Sequence, residues 1–111
     1  MIENIIPADF ARIDIRVGRV IKSEEFPKAR KPAYKLWIDF GQLGVRRSSA
    51  QITELYSPGD LTDRLVLAVV NLPPRQIANF ISEVLVLGVP TERGVVLVGP
   101  EQDAQPGLRM Y

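Results

Sequence analysis

The sequence predicts an all-β domain, a small five-stranded Greek-key barrel, and three observations carry that expectation. Apolar and polar residues alternate at period two along residues 13–17 and again along 34–40, the signature of strands buried on one face. Residues 65–70 form an uninterrupted, valine-rich apolar run of strand length. The order of elements, three strands, a short helix and then further strands within 111 residues, fits a small closed barrel.

Each element has its own justification. Pro7, Ala8, Asp9 and Phe10 read as a helical turn with proline near its first position, where the missing N–H costs nothing, and Phe10 is expected to pack beneath the body of the domain. Ile13, Ile15 and Val17 alternate with Asp14, Arg16 and Gly18, and Val20 and Ile21 follow. This is a long first strand, with Gly18 expected at a bulge or tight curve. Residues 26–32 are a loop, because Pro27 and Pro32 do not fit a central strand.

Tyr34, Leu36, Ile38 and Phe40 alternate with Lys35, Trp37 and Asp39 in the clearest strand of the chain. Residues 41–44 turn into a third strand at 45–50, which carries Arg46, Arg47, Ser48 and Ser49. Ile52, Leu55 and Tyr56 have helical spacing, and Ser57, Pro58 and Gly59 stop the short helix they predict. The strand at 65–70 is expected to be buried on both faces, and Pro73 and Pro74 break it. A helical turn is expected around residues 77–81. Strands at 84–89 and 95–98 then form a hairpin, and a loop-like tail ends in Leu108, Met110 and Tyr111. This order is that of an OB-type barrel, with a short helix closing one end between strands three and four and small terminal extensions. A β-sandwich could use the same elements.

At 12.4 kDa and 46% apolar residues the chain has material for one core, so residues 1–111 are read as a single domain. With no Cys and no His, disulfides, thiolate or imidazole metal sites and Ser-His-Asp arrangements are excluded. Ser48 and Ser49 have no base at motif spacing, and Asp60 and Asp63 have no calcium-loop pattern. No catalytic residue, metal or cofactor is expected. The first ten residues lack a basic n-region and an apolar h-region, and no run approaches the roughly 18 apolar residues of a membrane helix. A soluble, cytoplasmic protein without membrane insertion is therefore expected.

Net charge is only +1, yet the charges are segregated. Eight bases stand between Arg12 and Lys35 (Arg12, Arg16, Arg19, Lys22, Lys28, Arg30, Lys31 and Lys35) against three acids, Asp14, Glu24 and Glu25. Glu54, Asp60 and Asp63 make the following region acidic. Such polarity places a basic face on a nearly neutral molecule, the electrostatic footprint of a phosphate-binding surface, although a merely solvated strand face uses the same residues. Lys28, Arg30, Lys31 and Lys35 crowd one loop and the strand beside it. Arg46 and Arg47 point to opposite faces, and Arg47 is the one assigned to the basic side. Trp37 shares a pleat with Lys35 and Asp39, so it faces outward to stack on a base, bury in a partner, or complete a small cluster under the N-terminal turn.

Six segments, in order, carry a family resemblance: Asp14-Ile15-Arg16-Val17-Gly18, Phe26-Pro27-Lys28-Ala29-Arg30, Ile38-Asp39-Phe40-Gly41, Ser48-Ser49-Ala50-Gln51-Ile52-Thr53, Val70-Asn71-Leu72-Pro73-Pro74-Arg75 and Ser82-Glu83-Val84-Leu85-Val86-Leu87-Gly88. Across nearly the whole chain it resembles the CsaA family of export-related chaperones, itself similar to the tRNA-binding domains, stand-alone or appended, of methionyl-tRNA synthetases. Where the broader tRNA-binding group has Ser-Glu-Gly-Met, this chain has Ser82-Glu83-Val84-Leu85, a departure that favours CsaA proper. The resemblance implies an OB fold and a non-catalytic binding protein.

Two functions follow from it. One is a chaperone for unfolded or pre-export polypeptide that also binds tRNA; the other is a dedicated structured-RNA binder. The nucleic-acid site would comprise Lys28, Arg30, Lys31, Lys35, Arg47, Asn71, Arg75, Ser82 and Glu83, with Arg75 held by rigid prolines for a phosphate or carboxylate. Ser82 and Glu83 could equally cap neighbouring backbone. Ile2, Ile5, Ile6, Leu108, Met110 and Tyr111 make the termini apolar, and the family's homodimers imply that these residues, with Trp37, meet a second copy or a bound peptide.

Overall fold

The computed structural model describes residues 1–111. Its elements run α1 (Pro7–Ala11), β1 (Ile15–Glu25), β2 (Tyr34–Asp39), a 3-10 turn (Gly41–Leu43), β3 (Val45–Ala50), α2 (Pro58–Leu61), β4 (Leu65–Val69), β5 (Arg75–Ile77), β6 (Phe80–Ser82), β7 (Leu85–Val86), β8 (Gly88–Thr91) and β9 (Gly94–Leu97). Alternation in sequence becomes alternation in burial along β2, where Tyr34, Leu36 and Ile38 face the core and Lys35, Trp37 and Asp39 face out.

The main sheet has the order β3-β2-β1-β4-β7, antiparallel throughout. β1 is long enough to serve two partners, pairing with β4 through Ile15–Arg19 and with β2 through Arg19–Glu25, and this sharing curls the sheet. Beyond β3 the Glu83 N–H donates to the Arg47 carbonyl at 2.7 Å, and the Ser48 hydroxyl donates to the Val84 carbonyl at 3.1 Å. These bonds bring the two edges together into a nearly closed five-strand antiparallel barrel of the OB kind rather than a sandwich.

The bend of β1 is not at Gly18. Register slips between Val20 and Lys22, so Ile21 is the bulged residue, and it is exposed. Gly18 is needed for packing: a Cβ there would stand 2.5 Å from Ile38 Cγ2 and 2.7 Å from Phe40 Cε1. The main core gathers Val20, Leu36, Ile38, Phe40, Val66, Ala68 and Leu61, the last supplied by α2 as a plug between β3 and β4. The helix expected at residues 51–56 is absent, and a single turn forms from Pro58 instead. There Ser57 is extended and its N–H donates to Asp60 Oδ2 at 3.0 Å, while Pro58 occupies the first helical position. Ile52 and Tyr56 reach the core from irregular backbone, and their inward spacing had mimicked a helix.

β4 is buried on both faces, Val66 and Ala68 against the main core and Leu67 and Val69 against Ile15 and Val17. The C-terminal segment covers this second cluster and is not a free loop. Gly107 N–H donates to the Val17 carbonyl (2.8 Å), Val17 N–H to the Leu108 carbonyl (2.9 Å) and Met110 N–H to the Ile15 carbonyl (2.8 Å), adding a ladder along the start of β1. Met110 thus packs into its own chain's second cluster, whereas Leu108 and Tyr111 are exposed. Phe10 lies at the surface with the rest of α1 instead of beneath the barrel, and Ile13 is likewise exposed, ahead of β1. The turn expected near residues 77–81 is the β5–β6 hairpin, and the long strand at 84–89 divides into β7 and β8. No helix is long and apolar enough to cross a membrane.

Tyr34 offers a local test of this packing. Burial holds its phenol above the ordinary tyrosine range, reinforced by Glu25 and Asp60, and its hydroxyl donates to the Tyr56 carbonyl at 2.7 Å. Because the folded value is raised, the fold gives up stability as pH climbs past the unfolded tyrosine value towards the raised one. An alkaline absorbance titration is expected to show a late tyrosinate component that disappears in Tyr34→Phe.

Candidate nucleic-acid interface

Two proline-stiffened loops build the site. The first joins β1 to β2 with Pro27 and Pro32 in it, and its ends are anchored by the burial of Phe26 and Ala33 against Phe80. The Phe26 and Phe80 rings meet edge-on at 5.6 Å. The second joins β4 to β5 through Asn71, Leu72, Pro73 and Pro74. Asn71 fastens it: Oδ1 accepts the Asp14 N–H at 3.0 Å and Nδ2 donates to the Arg12 carbonyl at 2.8 Å. The amide that sequence reading placed on a nucleic acid therefore holds the loop that presents Arg75.

Between these loops, an open groove of about 490 Å³ has Lys28, Arg30, Lys31 and Arg75 on its walls and Ser49 and Gln51 among its other lining residues. All four cations are exposed. The ion pairs of the chain use Arg16, Arg19, Lys22, Arg47 and Arg109, so none of these four has a carboxylate partner. Four unneutralised cations lining one groove form a site for an anion with several charges along its length.

Lys35 and Arg47 lie on an adjoining surface. The Lys35 ammonium sits 5.2 Å from the Phe26 ring centre and 5.7 Å from that of Phe80, and the Arg47 guanidinium is 5.4 Å from Phe80. Trp37 meets Phe80 edge-on at 5.7 Å, with the Lys22 ammonium 4.6 Å above its indole. Trp37 is thus part of a small cluster on the outside of the barrel with Phe26 and Phe80, not one under the N-terminal turn. Cation–ring contacts of this kind contribute about 0.5–1 kcal/mol each at exposed positions.

Ser82 and Glu83 face the seam. Ser82 Oγ accepts the Ser49 N–H at 3.0 Å, and Glu83 Oε1 accepts the Arg47 N–H at 3.0 Å and its Nε–H at 3.4 Å. Side-chain oxygens here take the place of the backbone carbonyls that a neighbouring strand would offer. Glu83→Ala is expected to lower stability by about 1–2 kcal/mol, since a backbone N–H and a guanidinium lose their acceptor. Glu83→Gln keeps a carbonyl oxygen for the N–H and is expected to cost less than half as much. Thermal melts beside RNA titrations check this reading: a large affinity loss in Glu83→Gln at unchanged stability would make Glu83 a ligand contact instead.

Sequence reasoning missed Gln51, Gln76 and Ala78 on the groove wall, and Phe26 and Phe80 beneath the cations. The phenylalanines carried a signal, being large apolar residues beside loops. Gln51 lies in a segment that carries the family resemblance, whereas Gln76 and Ala78 carried no signal, because exposed Gln and Ala occur on any surface.

The chain matches the family described as "Putative tRNA binding domain" over residues 15–109. It is 50% identical to the CsaA chaperone protein of Picrophilus torridus, with a TM-score of 0.92 over 97% of this chain and 100% of that one. It is 47% identical to the chaperone CsaA of Bacillus anthracis, with a TM-score of 0.92 over 98% and 100% of the two chains. A methionine–tRNA ligase of Sorangium cellulosum is 38% identical over 103 residues, which is 93% of this chain and 15% of that enzyme.

Proposed function

Because this chain belongs to the tRNA-binding domain family and stands beside the CsaA chaperones within it, we propose that residues 1–111 are one non-catalytic, cytoplasmic binding module that grips tRNA. The observation that carries this reading is the groove lined by Lys28, Arg30, Lys31 and Arg75 with no acidic partner. Phosphates supply the complementary charge, and Lys35 and Arg47 extend the basic surface beside the groove.

A second surface favours an added role in holding unfolded or pre-export polypeptide. Ile2, Ile5, Ile6, Leu108 and Tyr111 are exposed apolar residues at the two ends of the chain, and the CsaA neighbours are chaperones by name. Such residues are covered in a two-fold homodimer or against a client segment. Met110 and Trp37 contribute less to that surface, being half-buried in clusters of their own chain.

Salt separates the two roles. Association with bulk tRNA is expected to weaken linearly in log–log terms as salt rises, while capture of an unfolded polypeptide changes little or strengthens. Both titrations at two ionic strengths, with sedimentation to read the dimer, test the proposal. No tRNA binding at low salt overturns the first role, and neither polypeptide binding nor suppression of aggregation overturns the second.

A further inference from the structure

A second groove, of about 540 Å³, adjoins the basic one and differs from it in chemistry. Ile52, Leu72, Pro73, Leu85, Val86 and Val95 supply apolar wall, and Leu72 and Leu85 are exposed although large and hydrophobic. The two grooves share Ser49, Gln51, Arg75 and Ile77, so they border one another along these four residues. Arg75 stands at the junction, exposed and outside every ion pair.

From this adjacency we infer that the apolar groove is a subsite for one unstacked nucleobase of the RNA whose phosphates lie in the basic groove. The inference rests on the RNA reading above and deepens it: the substrate class is RNA with an unpaired nucleotide in a loop or bulge, not uniform duplex. A ligand spanning both grooves is polyanionic at one end and apolar at the other, and a nucleotide combines the two, its phosphate and its base faces being held apart only by one ribose. The volume lies within the range of small-ligand pockets. Arg75 offers a guanidinium plane for stacking as well as a charge for the phosphate. Gln51, on the shared wall, brings an amide donor and acceptor that match a base edge. Aliphatic walls then enclose the base faces, as apolar side chains do wherever a base leaves its stack.

The test uses three RNAs of equal phosphate number: a hairpin with 2-aminopurine in its loop, the same hairpin with abasic loop positions, and a blunt duplex. The loop hairpin is expected to bind about tenfold more tightly than the abasic one, with equal salt slopes, because removing roughly 60 Å² of base surface from water at about 25 cal/mol per Å² is worth about that factor. Its 2-aminopurine fluorescence should rise on binding. Leu72→Ser with Leu85→Ser, both at exposed positions, should abolish the preference and leave the salt slope intact.

Equal binding of all three RNAs with an unchanged slope and silent fluorescence overturns the base subsite and leaves the RNA reading standing. No binding of any RNA at low salt removes the RNA reading itself. Salt-insensitive binding of an apolar peptide that is lost in the double variant, while loop-RNA preference persists, gives the groove to polypeptide and overturns the inference.

Discussion

Alanine at Lys28, Arg30, Lys31 and Arg75 together is expected to weaken tRNA binding by roughly a thousandfold near 0.15 M salt and to flatten the salt slope by about 3.5, at about 0.9 counterions released per phosphate neutralised. The four residues line one groove and are free of carboxylate partners, so each has its full charge to give to a phosphate. Stability should hardly move, because exposed substitutions away from special features stay within about 0.5 kcal/mol. Arg93→Ala, on the exposed turn between β8 and β9, removes a cation outside the groove and should leave slope and affinity near those of the unaltered protein. Filter binding at several salt concentrations reads both quantities. A quadruple variant with the original slope would move the phosphate track to another face. Loss of affinity at unchanged slope would mean that the groove acts by shape and not by charge.

The pairing of basic loop and proline-stiffened loop was legible because charge segregation and Pro27, Pro32, Pro73 and Pro74 are local signals. What brings the loops to one groove is not local. The β5–β6 hairpin was hidden because Ile77 and Ile81 stand four apart, as on a helix. Its two-residue turn also begins with Ala78 at φ +51°, a conformation that glycine would have announced and alanine conceals. For Ser82 and Glu83 the capping of backbone was one of the two readings open in sequence, but the donors they meet were not legible, for a related reason. Their oxygens substitute for backbone acceptors across the seam, and sequence gives no sign of which donor a polar side chain will meet. The tail read as loop because its partner, β1, already had neighbours along its length, and only three-dimensional curvature opens the start of β1 to a further ladder.

Gly18 shows how much of the interface depends on a residue far from any ligand. Gly18→Ala is expected to lower stability by about 2–3 kcal/mol, the upper part of the range for one methyl forced into a filled core. In a chain of this size that moves the melting temperature down by about 10–20 °C. The new Cβ would stand 2.5 Å from Ile38 Cγ2 and 2.7 Å from Phe40 Cε1, and neither side chain can retreat because both are wholly buried. Gly18→Val adds two more methyl groups to the same space and should consume most of the 5–15 kcal/mol typical of a domain, leaving little folded protein. The control is Gly59→Ala in α2, where nothing lies within 4 Å of the added atom. It is expected to leave stability unchanged or raise it by about 0.5–1 kcal/mol through the loss of backbone freedom in the unfolded chain. Because Gly18 lies where β1 crosses between β2 and β4, displacing Ile38 there shifts β2 and with it the Trp37, Phe80 and Phe26 cluster that anchors the basic loop. Partly folded Gly18→Ala protein should therefore lose tRNA affinity in step with its melting transition. Full affinity in a destabilised but folded variant would show that the loop is anchored independently of the core.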